Sequence, residues 1–114
     1  MRKILIIWIA VLLQALFADV HTQNVRDMKD WQVRGLARNA LRFNDYQQAI
    51  PYLEEWHRRH PDHNAAATNL ARCYFRMRDF ENAERLFYAI YSRDTRSNME
   101  ALFYYALIQK MNGN

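Results

Sequence analysis

From Trp31 onward, apolar residues return every three or four positions. Val33, Leu36, Ala37, Ala40 and Phe43 fall along one side of a helix for which Asp30 supplies the N-cap. Asn44-Asp45 reads as a turn. A partner helix then runs from about Tyr46 to Arg59, and His60-Pro61 stops it because the residue before proline avoids the helical region. Pro51 lies inside that partner, so the pattern predicts a local distortion there or a helix start one turn later than Tyr46. Asp62 or Asn64 caps the next helix, from about Ala65 to Met77. Arg78-Asp79 turns, and Phe80 to about Ser92 forms its partner. After a polar loop from Asp94 to Asn98, Met99 to Met111 makes a fifth helix, and Asn112-Gly113 reads as the turn toward a sixth. Ala37 and Ala49 are small where two helices must approach closely, while Leu53 and Trp56 bring bulk. The second pair repeats this with Leu70, Ala71, Tyr74, Ala83, Phe87 and Ile90.

These hairpins are copies of one unit. Leu36-Ala37 returns as Leu70-Ala71, Asp45-Tyr46 as Asp79-Phe80, Ala49 as Ala83 and Leu53 as Phe87, each pair 34 residues apart. Arg38 and Arg42 return in the same register as Arg72 and Arg76, and Tyr105-Ala106 matches Leu70-Ala71 at 35 residues. One such hairpin cannot bury its apolar face alone, so neighbours must stack.

The spacing resembles the tetratricopeptide repeat pattern W-x2-L-G-x2-Y, then A-x3-F and a later P. Its positions hold Val33, Leu36, Ala37, Ala40, Ala49, Leu53 and Pro61 in the first repeat, with Trp56 where a small residue is usual. The second has Ala67, Leu70, Ala71, Tyr74, Ala83 and Phe87, with Thr95 replacing the closing proline. A third begins with Leu102, Tyr105, Ala106 and Gln109. The resemblance covers Trp31 to Gly113. It implies an all-α fold, an α-solenoid of antiparallel helix hairpins in a right-handed superhelix, over residues 30–114. It also implies binding of protein or peptide rather than catalysis.

Residues 1–18 differ in kind. Met-Arg-Lys precedes an unbroken apolar run, Ile4 to Leu13, with small Ala18 offering a cleavage point: the pattern of a secretory signal, or of an N-terminal anchor if it is retained. The apolar run is short of the roughly twenty residues that a spanning helix needs. Residues 19–29 read as a polar linker with a helical end. The expectation is export to the periplasm or outer cell envelope of a bacterium, as an adaptor or scaffold. Net charge is +4, but without Arg2 and Lys3 there are 14 basic residues against 12 acidic, too even a balance to point to nucleic acid. Two glycines leave little room for a phosphate-binding loop, and no nucleophile–base set is present, so neither an enzyme nor a cofactor is expected. His57, His60 and His63 have a spacing of three, but Pro61 interrupts it and no thiolate accompanies them, which argues for a polar turn and no metal. The single cysteine, Cys73, cannot form an internal disulfide and reads as a small buried hydrophobe.

Two surfaces stand out. Arg34, Arg38 and Arg42 lie opposite the apolar stripe near Trp31, and Arg72 and Arg76 take equivalent places beside Asn69. The resemblance puts the first helix of every repeat along a concave groove, so these residues would together receive a peptide with an acidic segment. The second surface is Ala101 to Ile108, eight apolar residues in a row covering the whole circumference of a helix. Leu102, Phe103, Tyr105, Leu107 and Ile108 would stack on further repeats of the same chain or mediate self-association. A structural, self-associating repeat without a groove ligand is the alternative.

Overall fold

The computed structural model describes residues 2–21, 24–93 and 98–114, without the side chains of 14–21. The expected cleavage point at Ala18, and Thr95 with the rest of 94–97, lie outside the residues and side chains described. Among the described residues every regular element is helical: α1 (Arg2–His21), a short 3-10 helix (Val25–Asp27), α2 (Asp30–Arg42), α3 (Tyr46–Arg59), α4 (Asn64–Arg76), α5 (Phe80–Arg93) and α6 (Met99–Met111). From α2 on, each helix packs against the next in sequence, as a solenoid of antiparallel hairpins requires.

The core follows the repeat. Val33, Ala37 and Ala40 of α2, Ala49 and Leu53 of α3, Leu70, Ala71 and Tyr74 of α4, and Ala83, Phe87 and Ile90 of α5 are all buried. Ala49, Ala71 and Ala83 are wholly covered, so each helix pair meets at a methyl group and larger side chains flank the contact. Leu36 and Phe43 depart from their stripe and are exposed. The position of Leu36 is filled by buried Leu70 in the next repeat, which has a preceding hairpin to pack on; among the described residues α2 has none.

Three helix ends share one turn. Asn44 (φ 55°), Arg78 (φ 64°) and Gly113 (φ 83°) adopt the left-handed conformation that ends a helix. The next N–H in each case reaches back to the helix: Asp45 to the carbonyl of Ala40 at 2.9 Å, Asp79 to Tyr74 at 2.8 Å, and Asn114 to Gln109 at 2.9 Å. The Asp45 and Asp79 carboxylates then accept from the N–H groups of Gln48 (3.2 Å) and Asn82 (3.4 Å), starting α3 and α5. Because Asp45 caps it, α3 begins at Tyr46 rather than a turn later, and it runs through Pro51 to Arg59 as one helix. Pro51 is on the exposed side, where water can serve the carbonyl its missing N–H leaves free. Two other caps differ from expectation. His63, not Asp62 or Asn64, starts α4, its Nδ1 accepting from the Ala66 N–H at 3.1 Å. Lys29 holds the cap position of α2, where the Gln32 amide oxygen accepts from the Lys29 N–H at 2.9 Å. Asp30 is released for another role.

Ala71→Leu should therefore overpack the α4–α5 contact and lower stability by roughly 1–3 kcal/mol. Gly35, mid-helix in α2 with nothing within 4 Å of an added methyl group, should gain about 0.5–1 kcal/mol on conversion to Ala. Chemical denaturation followed by circular dichroism measures both. Equal stability of Ala71→Leu and the parent would contradict close packing at this crossing.

Candidate functional site

Along the first helix of each hairpin runs a chain of three hollows. The first, about 430 Å³, is walled by Asp30, Trp31, Arg34, Gly35, Arg38 and Trp56. The second, about 190 Å³, shares Arg34, Arg38 and Trp56 with it and adds Leu41, Leu53, His63, Ala65 and Asn69 among others. The third, about 290 Å³, shares Ala65 and Asn69 with the second and continues past Thr68 and Arg72 to Glu100 and Ala101 of α6. Shared walls make them one groove spanning α2, α4 and α6.

The basic residues expected along it are not equivalent. Arg34 and Arg38 line the first two hollows and have no ion pair among the described residues. Arg72 is engaged: its Nε and Nη2 donate to the two Glu100 oxygens at 2.5 Å each, and its Nη1 donates to Asn69 Oδ1 at 3.1 Å. This bidentate pair joins α4 to α6 and raises the Arg72 pKa. Arg42 and Arg76 wall none of the three hollows. The structure thus brings together Trp31, Arg34, Arg38 and Asn69, places Arg72 beyond them in a pair, and sets Arg42 and Arg76 apart.

Trp56 was expected to fill the core. Instead it is half-buried at the groove wall, its ring 4.3 Å from that of His60 and edge-on to His63 at 6.4 Å. Its place opposite exposed Trp31 gives the groove two indoles. His63, which caps α4, shares the second hollow.

Behind the groove is a network the sequence reading passed over. Glu55 is buried and accepts from Arg58 (2.6 and 3.1 Å) and from Arg59 Nε (2.9 Å). Arg59 Nη1 donates to Asp30 at 2.7 Å, and Nη2 donates to the carbonyls of Met28 (2.7 Å), Arg26 (3.2 Å) and Val25 (3.3 Å). The end of the 19–29 stretch is therefore strapped to α3, with Met28 buried beneath. Arg93, 34 residues after Arg59, repeats the device on the next turn: its Nη1 donates to the Pro61 carbonyl at 2.8 Å and lies 3.8 Å from Asp62. The 34-residue period relates these two arginines as it relates Ala49 to Ala83. The histidines serve the same turns. His60 Nε2 meets Asp30 at 3.3 Å, while burial and the nearby Arg93 charge push the His57 pKa down.

The far end differs from expectation at two residues, Ile108 and Tyr105, which both pack inward. Ile108 is fully buried and belongs to the core. Tyr104 stacks on Phe87 (4.9 Å, 7°) and meets Phe75 at 5.0 Å, which fixes the inner face of α6. Tyr105 is half-buried against Tyr88 at 5.4 Å, Leu102 and Leu107 are half-buried, and Phe103 is 61% exposed.

Comparison with known families agrees with this geometry: the tetratricopeptide repeat matches residues 40–113. The chain belongs to the tetratricopeptide repeat family. Repeats of this family are generally non-catalytic modules for protein–protein interaction. No curated protein and no solved structure matches the chain. In this tetratricopeptide protein the matched span begins within α2 and closes at the left-handed Gly113 turn.

The strap makes a pH prediction. Hydrogen bonds from Arg58, with those from Arg59, hold the Glu55 carboxyl well below its usual range, at about 2. A depressed carboxylate pKa contributes stability that is complete above the unfolded value near 4.5 and lost as pH falls toward 2. Glu55→Gln should flatten the stability–pH curve across that window, and amides of Val25–Met28 should exchange faster in Arg59→Met. An unchanged acid limb in Glu55→Gln would contradict the assigned role.

Proposed function

We propose that the α2–α4 part of the groove binds a protein segment that presents carboxylates beside an aromatic or other large apolar side chain. The observation that carries this is the pairing of two arginines without an ion pair among the described residues, Arg34 and Arg38, with two indoles, Trp31 and Trp56, in connected hollows. Guanidinium groups give a carboxylate charge-assisted hydrogen bonds, and indole faces cover apolar surface at low entropic cost. The Arg72–Glu100 pair bounds the anion-seeking region toward α6, so the reading narrows to the first hairpin and the helix after it.

The module acts outside the cytoplasm, as an adaptor in a bacterial envelope. Support comes from the leader, where Arg2 and Lys3 precede Ile4 to Leu13; the apolar side chains of this run on α1 lie open to solvent. Among the described residues no helix is long and apolar enough to cross a membrane.

Peptides carrying paired glutamates next to a tryptophan, titrated against the chain by fluorescence anisotropy, test the groove. Arg34→Glu with Arg38→Glu should abolish binding, whereas Arg42→Glu with Arg76→Glu should preserve it. Binding should weaken with salt, since exposed charges are screened over roughly 8 Å at physiological ionic strength. Undiminished binding by the Arg34/Arg38 variant would overturn the reading. For export, mature protein from its native host should begin near Asp19; an intact Met1 in the cytoplasmic fraction would contradict it.

A further inference from the structure

Arg42 and Arg76, periodic but apart from the groove, share a second feature. Each is followed by a large apolar side chain in the open, Phe43 at 72% and Met77 at 45% exposure. Lys110-Met111 continues the pair at the same 34-residue spacing, with Met111 50% exposed. The pairs stand at the C-terminal ends of α2, α4 and α6, so they lie along one edge of the stack. The opposite edge holds the straps of Arg59 and Arg93. A cation in the last turn of a helix complements its dipole, which accounts for the charges but not for the exposed apolar side chains beside them. Met77 lies in the middle of the stack, between the α2–α3 hairpin and α6, and is still exposed.

Arg78 adds a further cation, at a φ of 64° that favours glycine or asparagine, the residues in the other two turns. Its guanidinium lies 5.9 Å from the centre of the Phe80 ring. Arg42, Arg76, Arg78 and Lys110 have no ion pair among the described residues. Of the acids nearby, Asp45 and Asp79 accept from the N–H groups that start α3 and α5. Glu81 is the one acidic residue in the first turns of those helices.

We propose that this edge docks on the surface of an anionic lipid bilayer, with the arginines at the headgroups and Phe43, Met77 and Met111 entering the interface below them. Separate apolar tips flanked by cations fit a surface that yields to each tip, whereas a protein partner would need a hole for every one. Phe43, Met77 and Met111 line none of the three groove hollows, so the groove stays open while the edge is docked. The export reading decides only where the chain meets a membrane; purified chain and vesicles test the edge without it.

The test uses the 114-residue chain with a polarity-sensitive fluorophore on one introduced cysteine, native Cys73 being buried. Gln47→Cys places the probe near Phe43, and Asp62→Cys, at a side chain 98% exposed, places it on the opposite edge. Vesicles of phosphatidylcholine and phosphatidylglycerol in equal parts should shift the Gln47 probe to the blue and leave the Asp62 probe unchanged. Arg42→Gln, Arg76→Gln and Arg78→Asn together should raise the lipid concentration for half the shift about tenfold or more. Phe43→Ser with Met77→Ser should reduce the shift, and circular dichroism should be unchanged in both variants. A silent Gln47 probe, whatever the Asp62 probe does, would leave α1 as the membrane contact and overturn the proposal. So would an equal response to phosphatidylcholine alone. A blue shift given by soluble polyglutamate without lipid would assign the edge to an acidic protein instead.

Discussion

Every helix from α2 to α6 depends on a neighbour to cover its apolar stripe, and the neighbour is the next helix in the chain. Among the described residues the main contacts join helices adjacent in sequence, so the core runs along the stack from Ala37 to Ile108 and does not gather at one centre. Alanine at the crossings and large side chains beside them recur at Ala49, Ala71 and Ala83 with Leu53, Tyr74 and Phe87, and so each joint is closely packed. The same constraint explains the two ends. Among the described residues α2 exposes Leu36, beside Gln32 and Asn39, where Leu70 of α4 is covered by the preceding hairpin, and α6 has a second apolar stripe.

A second layer of interactions fixes the turns. Arg59 and Arg93 hold the segment that precedes the first helix of their own repeat, by hydrogen bonds to backbone carbonyls that would otherwise rely on water. Glu55 counters the buried side of this arrangement, with its carboxylate shared between two guanidinium groups. These straps set the orientation of α2 and α4, and that orientation brings Arg34, Arg38, Trp31 and Trp56 to one groove. Where strapping and pairing consume a cation, as at Arg59 and Arg72, it is lost to ligands. The cations left to the groove are the ones whose neighbours are indoles.

Much of the fold was legible because one period carried both the stripe and the turn: Leu36, Leu70 and Tyr105 mark it, as do Asn44, Arg78 and Gly113. Helix limits followed within a residue or two. Less legible was anything decided by side-chain reach. His63 caps α4 although Asp62 and Asn64 flank it, because only its ring nitrogen meets the Ala66 N–H. Glu54 and Glu55 are neighbours, yet one is buried against Arg58 and Arg59 while the other accepts from Tyr74 at 2.6 Å. At the site, the periodic arginines were visible but their fates were not. Glu100, 28 residues from Arg72, decides that one, and Trp56 stands at the groove wall, where its ring meets those of His60 and His63.

Nearest-neighbour support is the claim on which the rest stands, and native-state hydrogen exchange across the whole chain tests it most directly. Helices covered on both sides, α3, α4 and α5, should exchange only through global unfolding. α6, covered on one face only among the described residues, should open at a distinctly lower free energy. Equal protection of α6 and α4 would contradict the account.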